Sequence, residues 1–304
     1  MTRPPDFFIV GHPKTGTTAL YDMLRAHPQI FLSRVKEPGF LAPELLTGWT
    51  LERYLALFAD ARDDQMVGEA TSHYLMSAVA PDAIARMNPN ARAIAIFRNP
   101  PEWIASLHLQ YMRDYLEDVR DLREALRLEP DRRAGRHIPS GALRREYRLQ
   151  YTGHVRYTEQ LQRLQSALGA DQVHVVIYDD LRSDPASAMA DVLAFLGVDS
   201  AVDLPHVESN VTVRSMRFPS LDRALHRLSQ GSGSYRFVKP AIKRAMPKRL
   251  RRRAFTSVRR NVVFGPVAPL DADLDRELRT MFKPEVERFG AFVGRDLATE
   301  WGYD

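Results

Sequence analysis

Residues 7–24 read Phe7-Phe8-Ile9-Val10-Gly11-His12-Pro13-Lys14-Thr15-Gly16-Thr17-Thr18-Ala19-Leu20-Tyr21-Asp22-Met23-Leu24. An apolar run enters a tight loop that holds one lysine. A helix follows, with two threonines at its start and Ala19, Leu20, Met23 and Leu24 on one face. Strand, loop and helix in this order make a phosphate cradle, because the backbone N–H groups of Thr15 to Thr18 point into one concavity at a helix N-terminus. The triphosphate-binding version of the loop reads G-x-x-x-x-G-K-S/T. Gly11 and Gly16 keep that spacing, but Thr17 stands where the lysine belongs, and the lysine has moved inside the loop to Lys14. The hydroxyls of Thr15, Thr17 and Thr18 add donors. Lys14 adds a charge suited to an oxygen that bridges a donor and a transferred group.

Outward from this loop, apolar strands alternate with helical patterns. Strands are expected over residues 6–11, 29–32, 65–68, 92–97 and 172–178. Ala93-Ile94-Ala95-Ile96-Phe97 is apolar throughout, as a buried parallel strand requires. Tyr157, Leu161, Leu164 and Leu168 share a helical face that Gly169 closes, and Asp184-Pro185 opens a helix that ends at Gly197. A closing amphipathic helix is expected over 273–290. The rhythm predicts an α/β fold with a central parallel sheet and helices on both faces, the ligand lying beyond the carboxyl ends of the strands. One domain over 1–304 is expected, with a charged, weakly apolar helical insertion over about 114–150 that has a loop at 135–141.

The 304 residues are 44% hydrophobic, enough for a sizeable core. There is no cysteine, which excludes disulfides, thiolate metal sites and a cysteine nucleophile. No apolar stretch approaches the roughly 20 residues of a membrane span, and the reading is a cytoplasmic protein. The net charge of +5 is unevenly placed: residues 223–270 contain 13 Lys or Arg and no acidic residue, leaving 30 basic against 38 acidic elsewhere. That asymmetry implies an anionic partner for one region. With Phe255 alone among aromatics across 239–260, the segment lacks the interleaving of a single-strand stacking platform, and no nucleic acid is expected.

A second anion site is expected at Phe97-Arg98-Asn99-Pro100-Pro101-Glu102-Trp103-Ile104-Ala105-Ser106. Here a buried strand ends in an arginine and opens a helix whose prolines suit a first turn. Arg98 leaves the carboxyl end of the strand and suits a bidentate phosphate contact. Ser106 lies about two turns further on, in position to face the same crevice.

With both sites in view, the chain resembles the sulfotransferases that use 3′-phosphoadenosine 5′-phosphosulfate (PAPS), in their bacterial and heparan-sulfate-type branch. Pro13-Lys14-Thr15-Gly16-Thr17-Thr18 resembles the family's loop for the 5′-phosphosulfate, and Arg98-Asn99-Pro100 with Ser106 resembles its 3′-phosphate motif. Lys36-Glu37-Pro38, Gly68 through Leu75, Tyr178-Asp179-Asp180-Leu181 and the ending from Phe282 to Trp301 resemble further blocks. The resemblance implies a P-loop-like three-layer fold and in-line, metal-independent transfer of a sulfuryl group to an acceptor hydroxyl, leaving 3′-phosphoadenosine 5′-phosphate (PAP). The acceptor it implies is a sugar, glycolipid or small-molecule alcohol. Lys14 would stabilise the leaving 5′-phosphate, Arg98 and Ser106 would hold the 3′-phosphate, and Tyr178 would lie near the adenine. The general base maps to Glu37, as a desolvated carboxylate of raised pKa. His73 is the competing base.

There are departures from the pattern. Gly39 replaces the histidine that usually follows Lys-Glu-Pro, Ala70 replaces a lysine after Glu69, and the Arg-Lys-Gly motif of cytosolic relatives is missing. The basic segment supplies replacements for the lost 3′-phosphate contacts in this reading, with Arg251, Arg252 and Arg253 as candidates, or it docks on an anionic membrane surface. The enzymatic alternative is a P-loop nucleotide kinase, against which stand Thr17 and the lack of an Asp-ended apolar strand for Mg²⁺. The non-enzymatic alternative is a membrane- or nucleic-acid-binding protein driven by the basic segment.

Overall fold

The computed structural model describes residues 3–45, 48–143, 145–202, 214–216, 264–266 and 269–303. Most of the basic segment, including Arg251, Arg252 and Arg253, lies outside the described residues. The chain begins with β1 (Phe7–Gly11), α1 (Thr17–Leu24), β2 (Ile30–Leu32), α2 (Leu51–Leu55), β3 (Met66–Ala70), α3 (Ala80–Met87), β4 (Arg92–Phe97) and α4 (Pro100–Arg113). Next come α5 (Leu122–Arg127), α6 (Glu129–Arg133), α7 (Tyr157–Leu168), β5 (Val173–Ile177), α8 (Tyr178–Ser183) and α9 (Pro185–Leu196). Last are a short antiparallel pair, β6 (Arg214–Met216) with β7 (Phe264–Pro266), then α10 (Ala272–Val293) and α11 (Leu297–Glu300).

The five main strands form one all-parallel sheet in the order β2-β3-β1-β4-β5. Alternation along β1 and β4 explains its three layers. Phe8 and Val10, with Ala93, Ala95 and Phe97, join a core that includes Trp103 and Leu107 of α4, Leu161 and Leu164 of α7, and Phe289 of α10. Phe7 and Ile9, with Ile94 and Ile96, join the opposite core with Leu20 and Met23 of α1 and Val192 and Leu193 of α9. The period-2 side-chain direction of a strand puts each set on its own face. β3 runs two residues beyond its expected end, to Ala70, and Gly68 within it is forced by packing: a Cβ there would stand 2.2 Å from Phe7 Cζ.

The charged stretch after α4 is better packed than its composition predicts. Arg132 donates two 2.7 Å bonds to Glu117, both side chains are fully buried, and the Tyr151 hydroxyl donates to the same carboxylate at 2.9 Å. A bidentate pair with a third donor satisfies the charges, so Ala125, Ala142, Leu149 and Tyr151 can join the core around them.

The C-terminal residues return to the carboxyl ends of β4 and β5. Tyr303 donates to Asn99 Oδ1 (3.0 Å) and Trp301 Nε1 to Asp179 Oδ2 (3.0 Å). Among the described residues, no helix is long and apolar enough to cross a membrane.

Candidate active site

All five parallel strands end at one edge of the sheet, so the segments that follow them share one crevice. The loop after β1 is the tightest. Thr15 donates its N–H (3.3 Å) and its hydroxyl (2.8 Å) to the His12 carbonyl. Lys14 takes a left-handed backbone at φ 75°, and Gly16 does so at φ 100°. Gly16 is the N-cap of α1, no side chain caps that end, and no acidic residue stands in its first turn. The first amides of α1 and its helix dipole are suited to an anion. Trp103 Nε1 donates to the Pro13 carbonyl (2.8 Å) and Arg98 Nη1 to the Lys14 carbonyl (3.3 Å), so α4 and the end of β4 hold the strained loop from behind.

Arg98 and Tyr178 form the neighbouring wall. The guanidinium lies 4.4 Å from the centroid of the Tyr178 ring, Nη2 donates to Glu102 (3.1 Å), and buried Nε has no hydrogen-bond partner among the described residues. The Tyr157 hydroxyl donates to the Arg98 carbonyl at 2.8 Å. Tyr178 opens α8 directly after β5, and its ring also closes on the loop: a Cβ on Gly16 would meet Tyr178 Cδ2 at 2.9 Å. This ring thus ties the β1 loop to Arg98. Ser106 is buried in the second turn of α4.

Glu37 and His73, distant in sequence, are neighbours here. Glu37 donates its N–H to the Ala70 carbonyl (2.9 Å), accepts from Ser72 N (2.9 Å), and has its Oε2 3.6 Å from His73 Nδ1. Lys36 Nζ donates to Glu37 Oε1 at 2.8 Å and lies 3.5 Å from Thr17 Oγ1, which links the β2 loop to the start of α1. Glu37 also takes a left-handed φ of 60°.

The electrostatics follow from this crowding. Burial, helped by Arg113 and Arg98, holds the Lys14 ammonium down at about 8. For Glu37, burial raises the pKa, but the His73 ring and the Lys36 ammonium outweigh it and hold the carboxyl at about 2. The carboxyl therefore departs from the raised pKa expected of it, because Lys36 and the His73 ring outweigh its desolvation. Burial, then His154 and His73, hold His12 at about 3, so its ring is neutral. It packs 5.0 Å from Trp103 and 5.4 Å from Tyr157, behind the loop.

Sequence reasoning missed a buried network under the Glu37 loop. Glu69, at the end of β3, accepts from the hydroxyls of Tyr54 (2.8 Å), Tyr74 (2.9 Å) and Thr71, while Thr71 Oγ1 accepts from Gly39 N (3.2 Å). Burial pushes the Glu69 carboxyl up to about 7. Only the position of an acidic residue in an apolar strand hinted at it. Strand β3 lies beside β1, where a nucleotide kinase would place a magnesium carboxylate, yet Glu69 is turned into three hydroxyl donors.

The fold and these groups define an α/β protein with anion-binding groups at the carboxyl edge of its sheet: an uncapped helix N-terminus with Lys14, Arg98 on Tyr178, and Lys36 paired to Glu37. A sulfotransferase-domain family model matches residues 4–230, so the chain belongs to the sulfotransferase family. Over 213 residues it is 30% identical to the bifunctional heparan sulfate N-deacetylase/N-sulfotransferase 1 of Mus musculus, an alignment covering 66% of this chain and 23% of that protein. Carbohydrate sulfotransferase 15 of Homo sapiens is 30% identical over 152 residues, 35% of this chain and 27% of that one. The chain thus spans about a quarter of the length of these relatives. The crystal structure of a sulfotransferase from Alicyclobacillus acidocaldarius superposes with a TM-score of 0.69 at 23% identity, covering 97% of this chain and 98% of that one, which shows a shared fold.

Proposed function

We propose that this chain transfers a sulfuryl group from PAPS to a sugar hydroxyl. The observation that carries the reading is Arg98, which bonds the Lys14 carbonyl and stacks on Tyr178, so that two anion-binding elements form one rigid surface. A nucleotide phosphorylated at both 5′ and 3′ positions matches such a pair. The names of the relatives support the sugar acceptor.

The residues present fit PAPS. The N-terminus of α1 has no side-chain cap, and glycine at 11 and 16 lets the loop pack against the Ile96 carbonyl and the Tyr178 ring. When bound, PAPS supplies an activated sulfuryl group on a phosphosulfate anhydride. Lys14 and the first turn of α1 neutralise the charge on the phosphate oxygen as its bond to sulfur breaks. Arg98 and Ser106 hold the 3′-phosphate, and Tyr178 positions Arg98. Glu37 takes the acceptor proton as the new sulfur–oxygen bond forms, and His73 beside it steadies the carboxylate. A pKa near 2 keeps Glu37 ionised at any working pH. It also makes Glu37 a weak base, which suits a loose transfer in which the proton leaves late.

The test incubates the protein with PAPS labelled in the sulfuryl group and a panel of neutral and acidic saccharides. Label appearing on a sugar, with stoichiometric PAP, supports the reading. A protein that binds ATP·Mg²⁺ tightly and gives no calorimetric signal with PAP overturns it in favour of a kinase.

A further inference from the structure

The segment that follows α10 packs behind the wall made by Arg98 and Tyr178. Tyr303 is 4% exposed, and its hydroxyl donates to Asn99 Oδ1 at 3.0 Å. Asn99 directly follows Arg98 and is the N-cap of α4, where an asparagine oxygen ordinarily accepts from an N–H of the first turn. Here Pro100 and Pro101 carry no N–H, the Asn99 side chain makes no cap bond, and its oxygen accepts from Tyr303 instead. Trp301, also buried, repeats the pattern one strand away. Its Nε1 donates at 3.0 Å to Asp179 Oδ2, and Asp179 directly follows Tyr178. Arg295 grips the next residue, Asp180, with both terminal nitrogens. Beyond β4 and beyond β5, the chain is therefore held one residue past the side chain it presents to the site.

The segment is itself fixed. Tyr303 N donates to the Ala298 carbonyl (2.8 Å), Arg279 of α10 donates to the Gly302 carbonyl (3.1 Å), and its guanidinium lies 5.2 Å from the Tyr303 ring centroid. Trp301 and Tyr303 belong to the same core as Phe97 and Ile177, the residues just before Arg98 and Tyr178. Each wall residue thus stands between a neighbour in that core and a neighbour bonded to Tyr303 or Trp301. This matters for binding, because the Arg98 guanidinium lies at the end of a long side chain. A small turn of the backbone at 98–99 carries it away from the Lys14 carbonyl and the Tyr178 ring.

We propose that Tyr303 and Trp301 are positioning residues for the nucleotide: Tyr303 aims Arg98 through Asn99, and Trp301 seats Tyr178 through Asp179. Removing either hydrogen bond loosens the grip on the 3′-phosphate. The inference rests on the sulfotransferase reading, so its test starts with PAP binding to the native protein.

The native protein, Tyr303→Phe, Trp301→Phe, Arg98→Ala and the double variant Tyr303→Phe/Arg98→Ala are titrated calorimetrically with PAP and with adenosine 5′-phosphate, and their thermal midpoints are measured alongside. Tyr303→Phe deletes one oxygen and keeps the ring. It lowers the preference for PAP over adenosine 5′-phosphate by about three- to tenfold, the worth of one hydrogen bond, and leaves affinity for adenosine 5′-phosphate nearly unchanged. Trp301→Phe lowers the same preference. In the Arg98→Ala background, Tyr303→Phe costs no further affinity for PAP, because its effect passes through the guanidinium. A merely structural role lowers the thermal midpoint and leaves the ratio of the two affinities unchanged. That result in either single variant, or full additivity of Tyr303→Phe with Arg98→Ala, overturns the proposal and leaves the sulfotransferase reading standing. A native protein silent toward PAP overturns the reading itself.

Discussion

Glu37 Oε2 lies 3.6 Å from His73 Nδ1, so the two candidate bases are one unit rather than rivals. The carboxylate is further fixed by Ser72 N and by Lys36 Nζ, and it is the better-held member. Glu37→Gln therefore lowers turnover by about a hundredfold or more, the range of general-base catalysis, while PAP affinity stays the same. His73→Ala lowers turnover less. Steady-state kinetics on both variants checks this, and an active Glu37→Gln beside a dead His73→Ala reverses the roles.

The same contacts give a pH signature in folding. Glu37 titrates at about 2 in the folded chain against an ordinary 4.5. A depressed folded pKa means that the ionised Glu37 carboxylate stabilises the fold above pH 4.5 and that this contribution is lost as pH falls toward 2. Glu37→Gln removes it, so denaturant midpoints of the variant fall less steeply than those of the native protein across that window.

Lys14, held at about 8 by burial and by Arg113 and Arg98, begins to lose its proton within the alkaline working range. Affinity for PAP should decline as pH rises through that value. Lys14→Arg moves the decline beyond about pH 12, because a guanidinium stays protonated. Lys14→Ala should reduce turnover far more than PAP affinity, because its charge is needed most as the bond breaks. Equal losses contradict that role.

Gly16 combines a φ of 100° with a ring against its α-carbon. Gly16→Ala puts a methyl 2.9 Å from Tyr178 Cδ2 and forces an unfavourable backbone, a cost of about 1–3 kcal/mol in stability. Displacing Tyr178 also frees Arg98, so PAP binding should fall by more than the stability loss explains. Thermal unfolding and calorimetry on the variant measure the two effects separately.

The parts of this site that were legible in sequence are those set by local pattern. Val10-Gly11 through Thr18 announces a strand, a turn and a helix start, and Arg98 follows an unbroken apolar strand, so β1, α1 and β4 are legible directly. Glu37 stands out in sequence only through its resemblance block, and the direction of its pKa shift is not legible there. The cause is long-range: Ser72 and His73 come from the segment after β3, on the far side of α2. The same holds for Glu69, whose donors come from Tyr54, Thr71 and Tyr74, and for Glu117 with Arg132, which made a buried stretch look like a surface one. The packing of the Tyr178 ring between Gly16 and Arg98 is a contact that no spacing rule encodes. Arg251, Arg252 and Arg253 fall outside the described residues.

Arg98 bonds the Lys14 carbonyl, and the two are proposed to form one clamp for a nucleotide phosphorylated at both ends. Calorimetric titration of the native protein and Arg98→Ala with PAP and with adenosine 5′-phosphate tests it most directly. The native protein is expected to bind PAP at least about tenfold more tightly than adenosine 5′-phosphate, and Arg98→Ala to lose that difference while still binding both through the β1 loop. Equal affinity for the two nucleotides in the native protein, or a preference for PAP that survives in Arg98→Ala, contradicts it.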